Sequence, residues 1–139
     1  MVNLVLSALD AVTGITKANF VRKTRQIAEV QEQFLLNLLQ AHRYTEFGRK
    51  YQLGEIKTID RFRDRVPILP YSSYEPFLDR IAGGEQNILT ADPVVYLTLT
   101  SGSTGKKKMI PTTRRSQNIT RQATLISMGF LTAALRPRG

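Results

Sequence analysis

One run of β-branched and aromatic residues, from Val94 to Thr100, constrains the fold more than any other segment of this chain. Such residues favour an extended, pleated backbone, so the run predicts a β-strand. Its apolar side chains fall on both faces, as in a strand that is covered on both sides. A short extended piece around Ile110 follows, and then a helix that begins at Thr112 or Thr113. The sequence therefore predicts a strand–loop–strand–helix unit.

The loop between the two extended pieces has a composition suited to binding phosphate. Residues 99–108 contain two glycines, four hydroxyl residues and three lysines. Glycine lets backbone N–H groups turn toward an anion, hydroxyl groups add donors, and lysine supplies a positive charge. The alternative is an ordinary soluble turn, because Gly, Ser and Thr are common in turns. A Walker A loop is excluded, since only two residues separate Gly102 from Gly105.

Amphipathic helices are predicted before the strand. Over residues 19–41, apolar residues recur at steps of three and four without Gly or Pro, which predicts one long helix. A weaker helix before it is predicted to stop near Gly14. Thr58 is predicted to cap a short helix, and Ser73 is predicted to cap the next one, with Pro76 at its third position.

Composition excludes several classes of site. The 139 residues are about one domain, and they include no cysteine and a single histidine, His42. A disulfide framework and a thiolate metal site are thereby excluded, and no metal-binding residue is assigned. His42 is interpreted as an ordinary residue at the end of a helix. The N-terminus lacks the basic region of a signal peptide and no run has the length of a membrane span, so we expect a cytoplasmic protein without a membrane partner.

The formal net charge of +9 leaves a second class of function open. A basic balance is typical of proteins that bind nucleic acid, and a small nucleic-acid-binding or interaction protein is therefore the alternative to an enzyme. The basic residues are scattered, however, and Asp60 and Asp64 alternate with three arginines. No aromatic stacking platform accompanies them. These observations argue against nucleic acid as a partner.

A resemblance to a known family rests on residues 66–85, which read VPILPYSSYEPFLDRIAGGE. This stretch resembles a segment of the GH3 family of acyl acid amido synthetases, within the superfamily of adenylate-forming enzymes. In that family a strand, a Ser/Thr/Gly loop ending in lysine and then a proline follow, and here Val94–Thr100, the loop to Lys108 and Pro111 come in that order. The resemblance covers residues 40–115. It implies an α/β fold: an N-terminal helical segment plus the first strand–loop–strand–helix of the large domain, with an incomplete sheet.

The same resemblance implies a substrate and a site. It places seven residues around the ATP phosphates, namely Thr100, Ser101, Gly102, Ser103, Thr104, Gly105 and Lys108. In the implied reaction, a small carboxylic acid attacks ATP to give an acyl-adenylate, and an amine then displaces AMP. The loop would neutralise and align charge on the departing pyrophosphate. Mg²⁺ is expected to share that role, and no catalytic residue is assigned.

Two features depart from a complete GH3 enzyme. The loop TSGSTGKKK has the spacing of the wider superfamily, with Lys107 where proline is usual, whereas GH3 proteins often have one more residue there. An acyl-CoA ligase of the phenylacetate type is therefore the alternative among enzymes. Residues 1–139 are interpreted as the N-terminal part of the large domain, with the C-terminal domain beyond Gly139. We expect this fragment to be inactive alone, and the sequence leaves open both folding alone and folding that needs the remaining part.

Overall fold

The computed structural model describes residues 2–100 and 107–135, with side chains described from residue 7 onward. In these ranges, the chain forms six α-helices and one two-stranded antiparallel sheet. Their order is α1 (Val2–Thr24), α2 (Ile27–Ala41), α3 (Glu46–Lys50), α4 (Ile59–Arg65), α5 (Glu75–Ala82), β1 (Val94–Thr100), β2 (Lys108–Thr113) and α6 (Arg114–Leu135). The chain divides into two units, residues 1–30 with 117–139 and residues 31–116.

The unit of residues 31–116 contains an apolar core that begins on α2. Leu39 of α2 is buried together with Leu53 and Ile56, which follow α3. Six half-buried side chains pack around these three: Leu35, Leu36, Phe47, Tyr51, Phe62 and Val66. Burial of apolar area contributes about 25 cal/mol per Å², so this cluster is a main source of stability in the unit.

Helix α3 ties the core to the segment that leads into the sheet. The Thr45 hydroxyl caps α3 by accepting the Gly48 N–H, and it donates to the His42 carbonyl, both at 2.8 Å. The first N–H groups of α3 donate to the carbonyls of Asn87 and Ile88, at 2.8 and 3.1 Å. These bonds satisfy donors that a helix N-terminus leaves unpaired, and they hold residues 87–88 against α3.

The predicted strand and the extended piece after it form an antiparallel hairpin. Its register runs from the pair Val94–Thr113 to the pair Thr100–Lys108, with an irregularity near Tyr96. Pro111 lies within β2, opposite Leu97. A proline can occupy an edge strand because its missing N–H is not needed there. The predicted strand and the predicted extended piece are thus both confirmed as strands. The expectation that β1 is covered on both faces is wrong for the described residues, because β2 is its one partner strand there and Val95, Tyr96 and Leu99 are at least half exposed.

The unit of residues 1–30 and 117–139 is built from α1 and the greater part of α6. Gly129 packs directly on the main chain of Thr13, which is fully buried. The rings of Phe20 and Phe130 meet edge to face with centroids 6.3 Å apart, and the Lys17 ammonium lies 5.1 Å from the Phe130 centroid. Close backbone approach at a glycine and an aromatic pair therefore hold these two helices together.

The prediction of one long helix over residues 19–41 is wrong. Helix α1 ends at Thr24, and α2 begins at Ile27. Between them, the N–H groups of Arg25 and Gln26 donate to carbonyls three residues back, at 3.3 and 3.1 Å. These shorter-range bonds tighten the last turn and end the helix without Gly or Pro, which is why the sequence showed no break.

Two further helix ends differ from the prediction. Helix α1 continues through Gly14 rather than stopping there, and a glycine inside a helix costs only about 1 kcal/mol relative to alanine. Ser73 does not cap α5, because residues 71–73 already form a 3-10 turn and Tyr74 takes the N-cap position. The predicted cap at Thr58 is confirmed, since its hydroxyl accepts the Arg61 N–H.

Candidate phosphate-binding site

The hairpin brings together the first and last residues of the predicted phosphate loop. Thr100 is the last residue of β1 and lies opposite Lys108, the first residue of β2. The other five predicted residues, Ser101, Gly102, Ser103, Thr104 and Gly105, lie outside the described residues. A hydroxyl and an ammonium group at one end of a hairpin are suited to binding and orienting an anion.

The side chain of Lys108 lies over an aromatic ring. Its Nζ is 5.4 Å from the centroid of the Tyr71 ring, within the range of a cation–π contact. Such a contact leaves the three ammonium N–H groups available as donors, because the ring attracts the charge without accepting a conventional hydrogen bond. Lys108 is solvent-exposed, so its ammonium is accessible from the end of the hairpin.

Tyr71 also binds the backbone next to Lys108. Its hydroxyl oxygen accepts the Met109 N–H at 2.7 Å, and the hydroxyl donates to the Met109 carbonyl at 3.3 Å. Sequence reasoning did not single out Tyr71 as a functional residue. No periodic pattern links it to Met109, which is 38 residues away. Its position inside the stretch that carried the family resemblance was the one available signal.

The strand β2 passes into α6 through a reciprocal cap. The Thr113 N–H donates to the Ser116 hydroxyl at 2.9 Å, and the Ser116 N–H donates to the Thr113 hydroxyl at 3.2 Å. This exchange resembles a capping box and satisfies two N–H groups at the start of α6. The start of α6 is therefore fixed by contacts within residues 113–116.

An ion pair connects the start of α6 to the segment before β1. Arg115 Nε donates to Asp92 Oδ2 at 2.6 Å. This hydrogen bond lowers the pKa of the Asp92 carboxyl and raises the pKa of the Arg115 guanidinium. Both groups therefore stay charged around neutral pH, and the pair braces the two ends of the hairpin that lie away from Thr100 and Lys108.

His42 also contacts the segment that precedes β1. It follows α2 directly, as the sequence predicts, and its Nδ1 accepts the Ala91 N–H at 3.0 Å. Burial lowers the pKa of His42, and Arg115 acts in the same direction while Asp92 opposes both. A neutral imidazole is the form that can accept this hydrogen bond, so His42 serves here as a structural acceptor.

A second ion-pair cluster centres on Arg80 of α5. Its guanidinium binds Glu85 at 2.8 Å and Glu46, at the start of α3, at 2.9 Å. The hydrogen bonds that Arg80 donates to Glu85 and Glu46 raise the pKa of its guanidinium, and the bond accepted by Glu85 lowers the pKa of that carboxyl. The cluster is half exposed, so its role is to orient the segment after α5 more than to add stability.

A cavity of about 430 Å³ lies beside the start of β1. Its wall includes Ile81, Asn87, Asp92 and Tyr96, and neither Thr100 nor Lys108 lines it. It is therefore separate from the described part of the phosphate site. Within residues 2–100 and 107–135, no group of three or more His, Asp or Glu side chains is placed to hold a metal ion. Every helix within residues 2–100 and 107–135 is too short or too polar to span a membrane.

Comparison with known proteins identifies relatives of this chain. The family model described as the GH3 family N-terminal domain matches residues 16–139. The chain is 36% identical over 93 residues to a probable indole-3-acetic acid-amido synthetase, GH3.12 of Oryza sativa subsp. japonica, with 66% of this chain and 15% of the relative covered. It is 34% identical over 125 residues to the jasmonoyl-L-amino acid synthetase GH3.3 of the same organism, with 88% and 27% covered. The chain thus spans between about a seventh and about a quarter of these relatives.

A solved structure has a similar fold. The GH3.15 acyl acid amido synthetase superposes with a TM-score of 0.75 at 24% identity, over 83% of this chain and 21% of that chain. At this identity the likeness concerns the fold. The predicted mixed architecture, in which a helical segment precedes a strand–loop–strand–helix unit, is confirmed.

Proposed function

The chain belongs to the GH3 family, and on this premise we propose that it supplies the ATP phosphate-binding loop of an acyl acid amido synthetase. The proposed loop consists of Thr100, the segment Ser101–Gly105 and Lys108. The observation that carries the proposal is the register of the hairpin, in which Thr100 lies opposite Lys108. A polyphosphate bound between the strand ends would meet a hydroxyl from one side and an ammonium from the other.

The proposed reaction has two steps. In the first, a carboxylate oxygen of the acid attacks the α-phosphorus of ATP, an O–P bond forms, and the bond to the β-phosphate oxygen breaks to release pyrophosphate. In the second, an amine nitrogen attacks the acyl carbon, the C–O bond to AMP breaks, and the amine loses a proton. Lys108 takes no covalent part. It neutralises negative charge on the departing pyrophosphate, which is an electrostatic and positional contribution.

Magnesium is expected to accompany ATP in the proposed reaction. No cluster of acidic or histidine side chains within residues 2–100 and 107–135 is placed to hold a metal ion. We therefore assign no residue of this chain as a Mg²⁺ ligand. Lys108 and the donors of the loop would share the neutralisation of the phosphate charge with that ion.

An amine acceptor is proposed rather than coenzyme A. The support comes from the relatives, which are named as amido synthetases of indole-3-acetic acid and jasmonoyl-amino acid synthetases. The substrate class proposed for the whole enzyme is accordingly a small carboxylic acid. We further propose that the 139 residues alone do not catalyse adenylation, since they span 15% of the GH3.12 relative and 27% of the GH3.3 relative.

The binding half of the proposal is tested with two matched lysine variants. Lys108→Ala should weaken binding of ATP about tenfold, because a charge-assisted contact is lost. Lys50→Ala is the control, since the Lys50 ammonium also lies 5.4 Å from a tyrosine centroid, that of Tyr51, but is remote from the loop in sequence. Calorimetric titration of ATP into each variant measures the difference. Equal affinities for both variants would contradict the phosphate-binding role of Lys108.

The catalytic half is tested by exchange of labelled pyrophosphate into ATP in the presence of indole-3-acetic acid. The 139-residue chain should give no exchange above a blank without protein. Acid-dependent exchange that is lost in Lys108→Ala would show that these residues form acyl-adenylate without a further domain, and it would overturn the proposed inactivity.

A further inference from the structure

Tyr71 contacts both the charged end of Lys108 and the backbone beside it. The ring lies 5.4 Å from the ammonium nitrogen, while the hydroxyl forms two hydrogen bonds with the backbone of Met109, the next residue. One side chain therefore restrains the lysine at its tip and at the peptide that follows its Cα. No other described aromatic side chain contacts this strand in the same two ways.

The hydrogen-bonding pattern explains why a tyrosine suits this place. Met109 is paired with Leu99 of β1 in the register, yet its N–H and its carbonyl are both taken up by the Tyr71 hydroxyl. These two groups therefore point away from β1, toward the 3-10 turn of residues 71–73. A hydroxyl can donate and accept at once, so it satisfies both groups of an edge strand, which neither a phenylalanine nor a leucine could do.

The consequence for Lys108 is pre-organisation. A free lysine side chain has many rotamers, and ordering it on a ligand costs conformational entropy. Here the peptide is held and the ammonium already lies over a ring, and within residues 2–100 and 107–135 no hydrogen bond of this ammonium competes with a ligand. Because the side chain is restrained before binding, less conformational entropy is lost when the ligand binds.

We propose that Tyr71 is a positioning residue, which holds Lys108 in the orientation needed to meet the β- and γ-phosphates of a nucleoside triphosphate. This inference rests on the proposed phosphate-binding function of Lys108. It assigns to Tyr71 an effect that acts entirely through the lysine. If Tyr71 only joined the turn to β2, its substitution would lower stability. Any effect of that substitution on ligand binding would then be the same with and without Lys108.

A double-mutant cycle with inorganic tripolyphosphate separates these roles. Tyr71→Phe keeps the ring and removes both hydrogen bonds, and it should weaken binding about threefold, while Lys108→Ala should weaken it about tenfold. In the Lys108→Ala background, Tyr71→Phe should cause no further loss. Tyr74→Phe is the matched control, because its hydroxyl makes no hydrogen bond among the described residues. Circular dichroism of each variant verifies that it is folded.

The outcomes distinguish the two proposals. Suppose that Lys108→Ala weakens binding and that Tyr71→Phe weakens it by the same factor in the parent chain and in Lys108→Ala. Tyr71 then does not act through Lys108, so this inference is overturned while the proposed function stands. If the unaltered chain does not bind tripolyphosphate, or binds it as well after Lys108→Ala, the proposed function fails and the inference fails with it.

A measurement on the unaltered chain keeps the test independent of variant folding. In NMR spectra, the Tyr71 ring should shield the Hε protons of Lys108, and the Tyr51 ring should shield those of Lys50, both relative to the Hε protons of Lys57. Addition of tripolyphosphate should shift the Lys108 signal and leave the Lys50 signal in place. A Lys108 signal that coincides with that of Lys57 would show that the ammonium does not lie over the ring.

Discussion

His42 links protonation to the stability of the segment that enters the sheet. Its Nδ1 accepts the Ala91 N–H at 3.0 Å, and burial lowers its pKa below the ordinary value of 6.5. The unfolded chain therefore binds a proton more readily than the folded chain does. The stabilisation from neutral His42 is complete above about pH 6.5 and is lost as the pH falls through the lower, folded-state pKa. The nearby carboxylate of Asp92 and the guanidinium of Arg115 stay charged across this range.

The variant His42→Asn tests this dependence. The asparagine Oδ1 can accept the Ala91 N–H from nearly the same position as Nδ1, and it does not titrate. Urea unfolding of the parent chain should show a lower midpoint at about pH 5 than at about pH 7.5, whereas His42→Asn should show a smaller difference between the two. If the urea midpoint falls equally in both proteins, a group other than His42 is responsible for the pH dependence.

Single residues differ in how much of their role the sequence reveals. Lys108 was assigned through the family resemblance of the loop that it ends, and the loop's composition, which is a local property, agreed with that assignment. Tyr71 was not predicted, because its hydrogen bonds with Met109 span 38 residues and depend on where the turn and the strand meet in space. The position of His42 at a helix end was predicted from periodicity, but its bond to Ala91 was not, for the same reason.

At the scale of elements, α1 and α6 offer a test of close packing. A methyl group at Gly129 would collide with the Thr13 carbonyl oxygen and lie 3.0 Å from Lys17 Cβ, whereas a methyl group at Gly14 would meet no atom within 4 Å. Gly129→Ala should therefore lower the free energy of unfolding by about 1–3 kcal/mol, through overpacking. Gly14→Ala, the same change in the same unit, should raise it by about 0.5–1 kcal/mol, through helix propensity.

Thermal unfolding monitored by circular dichroism measures both changes. The decisive observation is their opposite sign, because both variants add one methyl group inside a helix. If Gly129→Ala is as stable as Gly14→Ala, the two helices do not approach as closely as the contact with Thr13 requires.

The elements themselves were predicted unevenly. The strand at Val94–Thr100 and the cap at Thr58 follow from local chemistry, and both are confirmed. The break between α1 and α2 was missed because nothing in Arg25 or Gln26 opposes a helix. Conversely, Gly14 indicated an end that does not occur, since the packing of Thr13 on Gly129 holds α1 together beyond its local propensity.

At the scale of the whole molecule, the buried apolar side chains are unevenly distributed. The large apolar side chains that are buried among the described residues all lie within residues 31–116: Leu39, Leu53, Ile56, Leu78, Ile81 and Ile88. In the unit formed by residues 1–30 and 117–139, large side chains such as Leu131 remain exposed, in that case by 59%. Local opening costs least where few apolar contacts are lost, so the two units should differ in their resistance to opening.

Hydrogen exchange measured by mass spectrometry tests this difference. Peptides from residues 35–66, which contain the Leu39–Leu53–Ile56 cluster, should exchange more slowly than peptides from residues 7–24 or 117–135, although the latter are also helical. Leu53→Ala should cost about 2–5 kcal/mol and speed exchange in residues 35–66, because it leaves a cavity in that cluster. Leu131→Ala, at an exposed position, should leave exchange in residues 35–66 unchanged. Equal protection of all three regions in the parent chain would mean that buried area in the described residues does not determine where this molecule opens.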